Sequence, residues 1–284
     1  MEMNESKIHC SQLAILLMCY NGTQFLPELI SSLQQQTYSD WTLFVQDDLS
    51  TDDTRAYLQQ LAREDERVVY LHLDHKLGAM RGFMDLLSRV EAPYYMFCDQ
   101  DDIWLPEKVE LTMHRMALAE EQWGRDVPLV VHTALRVVDR NLKEIAPSFW
   151  KLSRINPALL QTFDEQAGHN LCTGCTMLLN RPAREVSMDF SPCALMHDAW
   201  VTLSTLKQGG HVCEVSQPTL LYRQHGGNTL GAHDIQSNYV KKRMTHLRSV
   251  WRENKASYAM LRAAGYGGVF KYLYYKIRYY LLNH

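Results

Sequence analysis

No apolar run in the 284-residue chain approaches the about eighteen residues that a membrane-spanning helix needs, so no spanning helix is expected. The first residues, MEMNESKIHC, lack a basic-then-apolar pattern, and no secretory signal is expected. There is no internal repeat and no low-complexity segment. The stretch MCYNGTQFLPE (18–28) follows the first predicted strand and holds one glycine and neither lysine nor arginine. It therefore lacks the glycine-rich basic loop that grips a triphosphate, which weighs against a nucleotidyltransferase. The seven cysteines are scattered. Cys172 and Cys175 have CxxC spacing in CTGC but no second pair to complete a zinc site. Cys19 and Cys98 lie in apolar runs and read as small core residues. A reduced cytosolic protein is the simplest inference. Acids are nearly absent from the tail: from residue 240 onward there are ten basic residues and one acid, Glu253. That segment carries +9 in a chain of net charge −3, so the two parts are expected to face different partners.

What is present is the composition of a globular protein, 46% hydrophobic and 21% charged. The length suits one large domain, or a domain with a small appendage. The first half alternates strand and helix patterns. Strands are predicted at LAILLMCY (13–20), WTLFVQ (41–46), RVVYLHL (67–73) and YYMFC (94–98). Helices are predicted at 25–36, at 52–63 with Asp52 as cap, at 78–90, and from near Pro106. Continuous apolar strands alternating with helices imply an α/β fold with a mostly parallel sheet covered on both faces. In such sheets ligands bind at the carboxyl ends of strands. The acidic clusters QDDLSTDD and DQDD both fall there. Later elements are less regular: a strand at 129–139, no clear pattern over 140–170, a strand opening from CTGC at 172–181, a helix at 197–209, and strands near 211–215 and 218–224. From 236 onward the pattern is helical, basic and aromatic.

Asp99 and Asp101, one residue apart at a strand end, can converge on a hard divalent cation such as Mg2+ or Mn2+ and leave positions for substrate phosphates. A solvated acidic turn explains the same residues, and Asp102 suits a helix cap.

The succession CYNGTQFLPELISSLQQQT, QDDLSTDDT and FCDQDDIWLPEK, at consecutive strand ends, resembles the family-2 glycosyltransferases of GT-A fold. The resemblance covers about residues 12–230, and MHDAW with YRQHGGNTLG is similar to the branch holding bacterial rhamnosyltransferases. It implies a catalytic domain over 1–235 and a helical extension over 236–284. Tyr20 would lie against the nucleotide base, and Asp48 would accept from the imide N–H of uracil or thymine. Asp47 would support that loop, and Lys76 and Arg81 would line the nucleotide pocket. Asp101 would hold the metal on the diphosphate, Asp99 would help through metal or ribose, and Arg223 and His225 would contact diphosphate or metal. His169, Asn170 and His197 would touch the acceptor or the donor sugar. Asp198 would be the catalytic base, so direct attack would invert the anomeric centre.

The implied activity is transfer of a sugar, rhamnose from dTDP-rhamnose or else a UDP-linked sugar, onto a glycan or lipid-linked glycan in cell-surface polysaccharide synthesis. The location would be the cytoplasm or the inner face of the membrane. A non-catalytic GT-A sugar-nucleotide-binding protein is the competing class, and the joint presence of Asp48, Asp99, Asp101 and Asp198 argues against it. VFKYLYYKIRYYLL (269–282) has the chemistry of an interfacial helix on anionic lipid, or of a helix packed on the catalytic domain or on a second copy. A nucleic-acid role finds no motif in the acidic remainder.

Overall fold

The computed structural model describes residues 8–10, 12–225 and 247–283. In chain order the strands are Ile8–His9 (β1), Leu13–Cys19 (β2), Trp41–Asp47 (β3), Val68–Tyr70 (β4), Val90–Glu91 (β5), Tyr94–Asp99 (β6), Ile103–Trp104 (β7), Leu129–Val138 (β8), Glu144–Ala146 (β9), Leu178–Asn180 (β10) and His211–Arg223 (β11). The helices are Leu26–Gln34 (α1), Thr54–Glu64 (α2), Gly78–Arg89 (α3), Lys108–Trp123 (α4), Phe149–Leu152 (α5), Phe163–Gly168 (α6), Arg181–Ser187 (α7), His197–Lys207 (α8), Leu247–Ala263 (α9) and Val269–Asn283 (α10).

The main sheet runs β4-β3-β2-β6-β10-β8-β11-β7, with β9 beside β8. The first four of these strands are mutually parallel. β10 is antiparallel to both its neighbours, β8 and β11 are parallel, and β7 closes the edge antiparallel to β11. The reason β2 reads as an unbroken apolar run is visible in its packing. Leu13, Ile15, Leu17 and Cys19 point to one face, against α1, α2 and α4; Ala14, Leu16 and Met18 point to the other, against α3 and α8. Each such buried aliphatic side chain contributes about 1.5–3 kcal/mol. The parallel half thus has the two-sided cover its sequence implies, and the fold is α/β.

The second half departs from the expected elements. CTGCT forms a 3-10 turn at Gly174–Thr176, and the strand is only Leu178–Asn180. The two strands expected near 211–224 are one, β11, whose register shifts on either side of Pro218. Residues 140–170, without clear pattern in the sequence, hold β9, α5, a 3-10 turn at Pro157–Leu159, and α6 with a Thr162–Glu165 capping box. The loop expected from Asp99 to Trp104 begins at the last residue of β6 and contains β7.

The tail helices share the α3–α8 core through Met260, Leu261, Ala264, Tyr266 and Tyr272. A Cβ on Gly168 would stand 3.1 Å from the Tyr275 carbonyl carbon, so this glycine lets α10 lie directly on the end of α6. The expected boundary at residue 235 lies outside the described residues.

Candidate active site

The parallel strands β2, β3 and β6 deliver three loops to one edge of the sheet. The first, Tyr20–Gly22, makes a turn in which Asn21 takes the left-handed backbone conformation (φ +49°) that asparagine tolerates better than most residues. It is tied to the second loop. The Asn21 amide donates to Ser50 Oγ at 2.9 Å, the Thr51 amide to Asn21 Oδ1 at 2.8 Å, and the Gly22 amide to Thr54 Oγ1 at 2.8 Å. Asp52 accepts from the amides of Thr23 and Thr54 ahead of α2, whose cap position is Asp53 rather than the expected Asp52.

The two adjacent acids of the second loop have separate employment. Asp47 is fully buried, accepts from Arg55 Nε at 3.0 Å and takes the Ser50 amide on both oxygens. It braces the loop through these bonds. Asp48 is buried as well, and its carboxylate receives the amides of Leu77 at 2.6 Å and Gly78 at 2.9 Å. It therefore anchors the start of α3, where a negative charge is favourable with the helix dipole. An open acceptor was expected here; the structure shows one already bonded on both oxygens. Beside it, Lys76 Nζ lies 3.4 Å from the centroid of the Tyr20 ring. The ring is 42% exposed, an aromatic platform at the mouth of the site with one cation against it.

The third loop is joined to the first by Gln100, the residue between the paired acids. Its Oε1 accepts from the Tyr20 amide at 2.9 Å and its Nε2 donates to the Tyr20 carbonyl at 3.0 Å. A Cβ on Gly22 would stand 2.2 Å from Gln100 Oε1, which explains the glycine. Sequence reasoning missed Gln100, because only the fold shows that its amide faces a strand-end backbone.

The acids divide into a rim pair and a deep group. At the rim, Asp101 Oδ2 lies 2.7 Å from His225 Nε2, and the His225 ring packs on Phe25 with centroids 4.6 Å apart. Deeper, donor atoms of Asp99, Asp102 and Cys175 lie within 4.8 Å of one another. Burial and the charges of Asp101 and Asp198 push Asp99 up to about 7. Burial and its two acidic neighbours push Asp102 well above the usual carboxylate range. Fully buried Lys108 sits behind this group, its Nζ 4.6 Å from the Trp104 ring centroid, and burial brings its ammonium down to about 8. A lysine at that depth offsets carboxylate charge and disfavours a cation in the deep group. The rim pair is less deeply set, its side chains 14–15% exposed, and its carboxylate is a hard oxygen ligand of the kind Mg2+ and Mn2+ take.

Asp198 opens α8 from the second half of the chain. Its Oδ1 accepts the Ala199 amide at 2.5 Å and its Oδ2 the Gly174 amide at 3.2 Å, and burial pushes it up to about 6. Its charge raises Asp99, which puts the two carboxyl groups in one electrostatic site. A cleft of about 410 Å3 runs from Leu77–Arg81 to Phe190–Met196, and so connects the amides held by Asp48 to the start of α8. Arg81 lines it and is exposed.

Several expected site residues are engaged by the protein's own groups. Arg223 is buried: its guanidinium donates to the Asp101 and Arg140 carbonyls and to Glu28 Oε2 at 2.5 Å, while its amide donates to Asp102 Oδ1. It clamps the acid loop to α1 rather than presenting its charge to a diphosphate. His197 is buried between Phe83 and Phe97, at 4.3 and 4.6 Å between centroids, and burial brings its pKa down to about 3. It is a neutral core ring under Gly174. His169 stacks on Tyr279 at 4.7 Å, in the seam between α6 and α10, while exposed Asn170 donates to the Cys172 carbonyl at 2.9 Å. Residues 226–231 of YRQHGGNTLG lie outside the described residues.

The profile of the family described as "Glycosyl transferase family 2" matches residues 14–186, more than half of the chain. The chain belongs to glycosyl transferase family 2. Among its relatives, the putative teichuronic acid biosynthesis glycosyltransferase TuaG of Bacillus subtilis is 31% identical over 36% of this chain and 41% of its own length. The dTDP-rhamnosyl transferase RfbG of Shigella flexneri is 26% identical over 82% of this chain and 79% of its own. Among solved structures, S. aureus TarS 1-349 with UDP-GlcNAc superposes with a TM-score of 0.59 at 14% identity, over 80% of this chain and 61% of that one. The mannosyltransferase PcManGT of Pyrobaculum calidifontis, with GDP-Man and Mn2+, gives 0.58 at 13% identity over 96% and 81%. These likenesses establish a GT-A fold. The chain spans less than half of TuaG and about three-fifths of the TarS fragment.

Proposed function

We propose that this family-2 protein is an inverting glycosyltransferase that moves a sugar from a pyrimidine nucleotide-diphosphate to a glycan or lipid-linked glycan hydroxyl, in cell-surface polysaccharide synthesis. The observation that carries the reading is the meeting of two carboxylate systems at one sheet edge. One is the Asp99–Asp101–His225 loop; the other is Asp198 at the start of α8, close enough to raise Asp99.

In this reading the base lies on the Tyr20 ring, and Lys76 moves from that ring towards the phosphates. Asp48 fixes the Leu77–Gly78 amides beside the base, and its remaining lone pairs would accept the imide N–H of uracil or thymine. Asp101 and His225, with Asp99, would hold Mg2+ or Mn2+. That ion, when bound, supplies positive charge for the departing diphosphate. Gln100 keeps the base loop and the acid loop in fixed relation. The acceptor enters along the cleft between Arg81 and Met196. Asp198 takes the hydroxyl proton as the acceptor oxygen bonds to the anomeric carbon and the carbon–phosphate oxygen bond breaks. Burial suits it to this task, because a carboxylate with a pKa of about 6 is ionised at neutral pH and a better base than an exposed one. Attack from the face opposite the leaving group inverts the centre.

Similarity to RfbG along most of both chains supports dTDP-rhamnose as the donor to test first. The relative described as a UDP-Glc glucosyltransferase on GlcNAc-diphosphoundecaprenol, 33% identical over 36% of this chain, supports UDP-glucose as the next. A lipid-linked acceptor would bring the enzyme to the cytoplasmic face of the membrane. Thermal shift with dTDP-rhamnose, UDP-sugars and GDP-mannose, with and without Mn2+, tests the donor assignment. Metal-dependent stabilisation by one dTDP- or UDP-sugar is expected; stabilisation by GDP-mannose alone would overturn the pyrimidine reading.

A further inference from the structure

Surface helices normally turn a polar face to water. α10 does the reverse. One side is fastened to the domain: Tyr272 is buried, Lys271 pairs with Asp164 at 2.7 Å, Arg278 with Glu165 at 2.8 Å, and Tyr279 stacks on His169. The other side exposes Phe270 (84%), Leu273 (45%), Tyr274 (60%), Ile277 (58%), Tyr280 (56%) and Leu281 (70%). These positions recur at steps of three and four, so they form one stripe roughly 17 Å long. The helix contains no acid, and its cations flank the stripe rather than interrupt it.

We propose that this stripe is a membrane-docking surface, seated at the boundary of headgroups and acyl chains of a leaflet containing anionic phospholipid. Three observations select that occupant. The first is charge: residues 247–283 hold seven basic side chains and one acid, while the chain as a whole is negative. Attraction to an anionic surface would therefore orient this end of the molecule towards it. The second is the make-up of the helix. α10 carries three cations and no acid, two of the cations being matched by Asp164 and Glu165 of the domain itself. A second copy would bring the same sign of charge to the stripe, so it is the weaker occupant. The third is length: α10 has 15 residues, and among the described residues no helix is long and apolar enough to cross a membrane. Phe, Tyr, Leu and Ile on one side with Lys and Arg at its borders suit a helix lying in the interface plane. The inference concerns binding alone and stands apart from the choice of donor.

The test is co-sedimentation of the full chain with vesicles of phosphatidylcholine and with vesicles of equal parts phosphatidylcholine and phosphatidylglycerol. It is repeated on Phe270→Glu/Ile277→Glu, two exposed positions whose exchange leaves the core intact. If that pair lowers the melting temperature, Leu281→Glu near the end of the helix replaces it. The expected result is binding to the anionic vesicles that weakens with salt and falls about tenfold or more in the variant. Equal pelleting of wild type and variant, or no pelleting of wild type, overturns the proposal. So does a concentration-dependent dimer in light scattering that the same pair abolishes, which would assign the stripe to a second copy.

Discussion

Asp198→Asn should separate activity from stability in opposite directions, with a pH dependence worked out from its surroundings. The folded protein raises this carboxyl group from an ordinary 3.8 to about 6 through burial. At 1.36 kcal/mol per pH unit, keeping it ionised costs about 3 kcal/mol at pH 8 relative to a neutral group. A raised acid contributes its stability fully below its unfolded pKa and loses it as pH rises through the folded one. Asparagine removes that charge. It also has one acceptor where the aspartate has two, so either the Gly174 or the Ala199 amide faces an NH2 group, at about 1–1.5 kcal/mol. The net change is about 1.5–2 kcal/mol of stabilisation at pH 8 and about 1 kcal/mol of destabilisation at pH 4. At about 2 °C per kcal/mol for a chain of this size, the melting temperature of the variant lies about 3–4 °C above wild type at pH 8 and about 2 °C below it at pH 4. The assay is paired thermal denaturation in EDTA across that range, with turnover measured beside it. Turnover should fall by about a thousandfold or more, within the range of losing a general base and its alignment. A melting difference of the same size at every pH would refute the burial argument. Unchanged turnover would refute the base assignment.

Other expectations follow from the loops. Gln100→Leu removes both hydrogen bonds to the Tyr20 backbone; it should lower stability by about 1–2 kcal/mol and raise the KM for the nucleotide sugar more than it lowers kcat. Gly22→Ala, whose Cβ would stand 2.2 Å from Gln100 Oε1, should do the same, and the double variant should be little worse than either, because both break one clasp. Additive losses would show that the clasp is not shared. Lys108→Met removes the buried cation behind Asp102 and Cys175, so the Mn2+ concentration for half-maximal activity should fall severalfold; an unchanged or higher value would contradict an electrostatic role for Lys108. Turnover of wild type should rise with pH through about 6, as Asp198 loses its proton, and a profile flat from pH 5 to 8 would not fit.

How far the sequence carried the structure depended on periodicity. β2, β3 and β6 are buried on both faces, so their apolar runs are continuous and their ends unmistakable, and the loops at those ends are where the chemistry gathers. The second half is harder for physical reasons. β10 is three residues long, β11 carries Pro218 and two register shifts in mid-strand, and α5 and α6 are too short to display a period. Thr162–Glu165 was a readable start signal there, in the form T-x-x-E. Among site residues, type and order were legible but partners were not. Asp48 and Arg223 have the chemistry to hold a ligand, and the fold uses that same chemistry on backbone amides, backbone carbonyls and Glu28. His197 neighbours Asp198 in sequence, but successive helix positions face different ways, and its ring turns into the Phe83–Phe97 core. Lys108 drew no notice in the sequence, because nothing local to it shows that a lysine in the first turn of α4 is fully buried.

The most direct test of the whole account is nucleoside-diphosphate release from dTDP-rhamnose and UDP-sugars, in the presence of Mn2+ and a lipid-extracted glycan acceptor, by wild type and Asp198→Asn side by side. The account predicts release by wild type that needs both metal and acceptor and is lost in the variant. No release from any pyrimidine nucleotide sugar, or equal release by the two proteins, would contradict it.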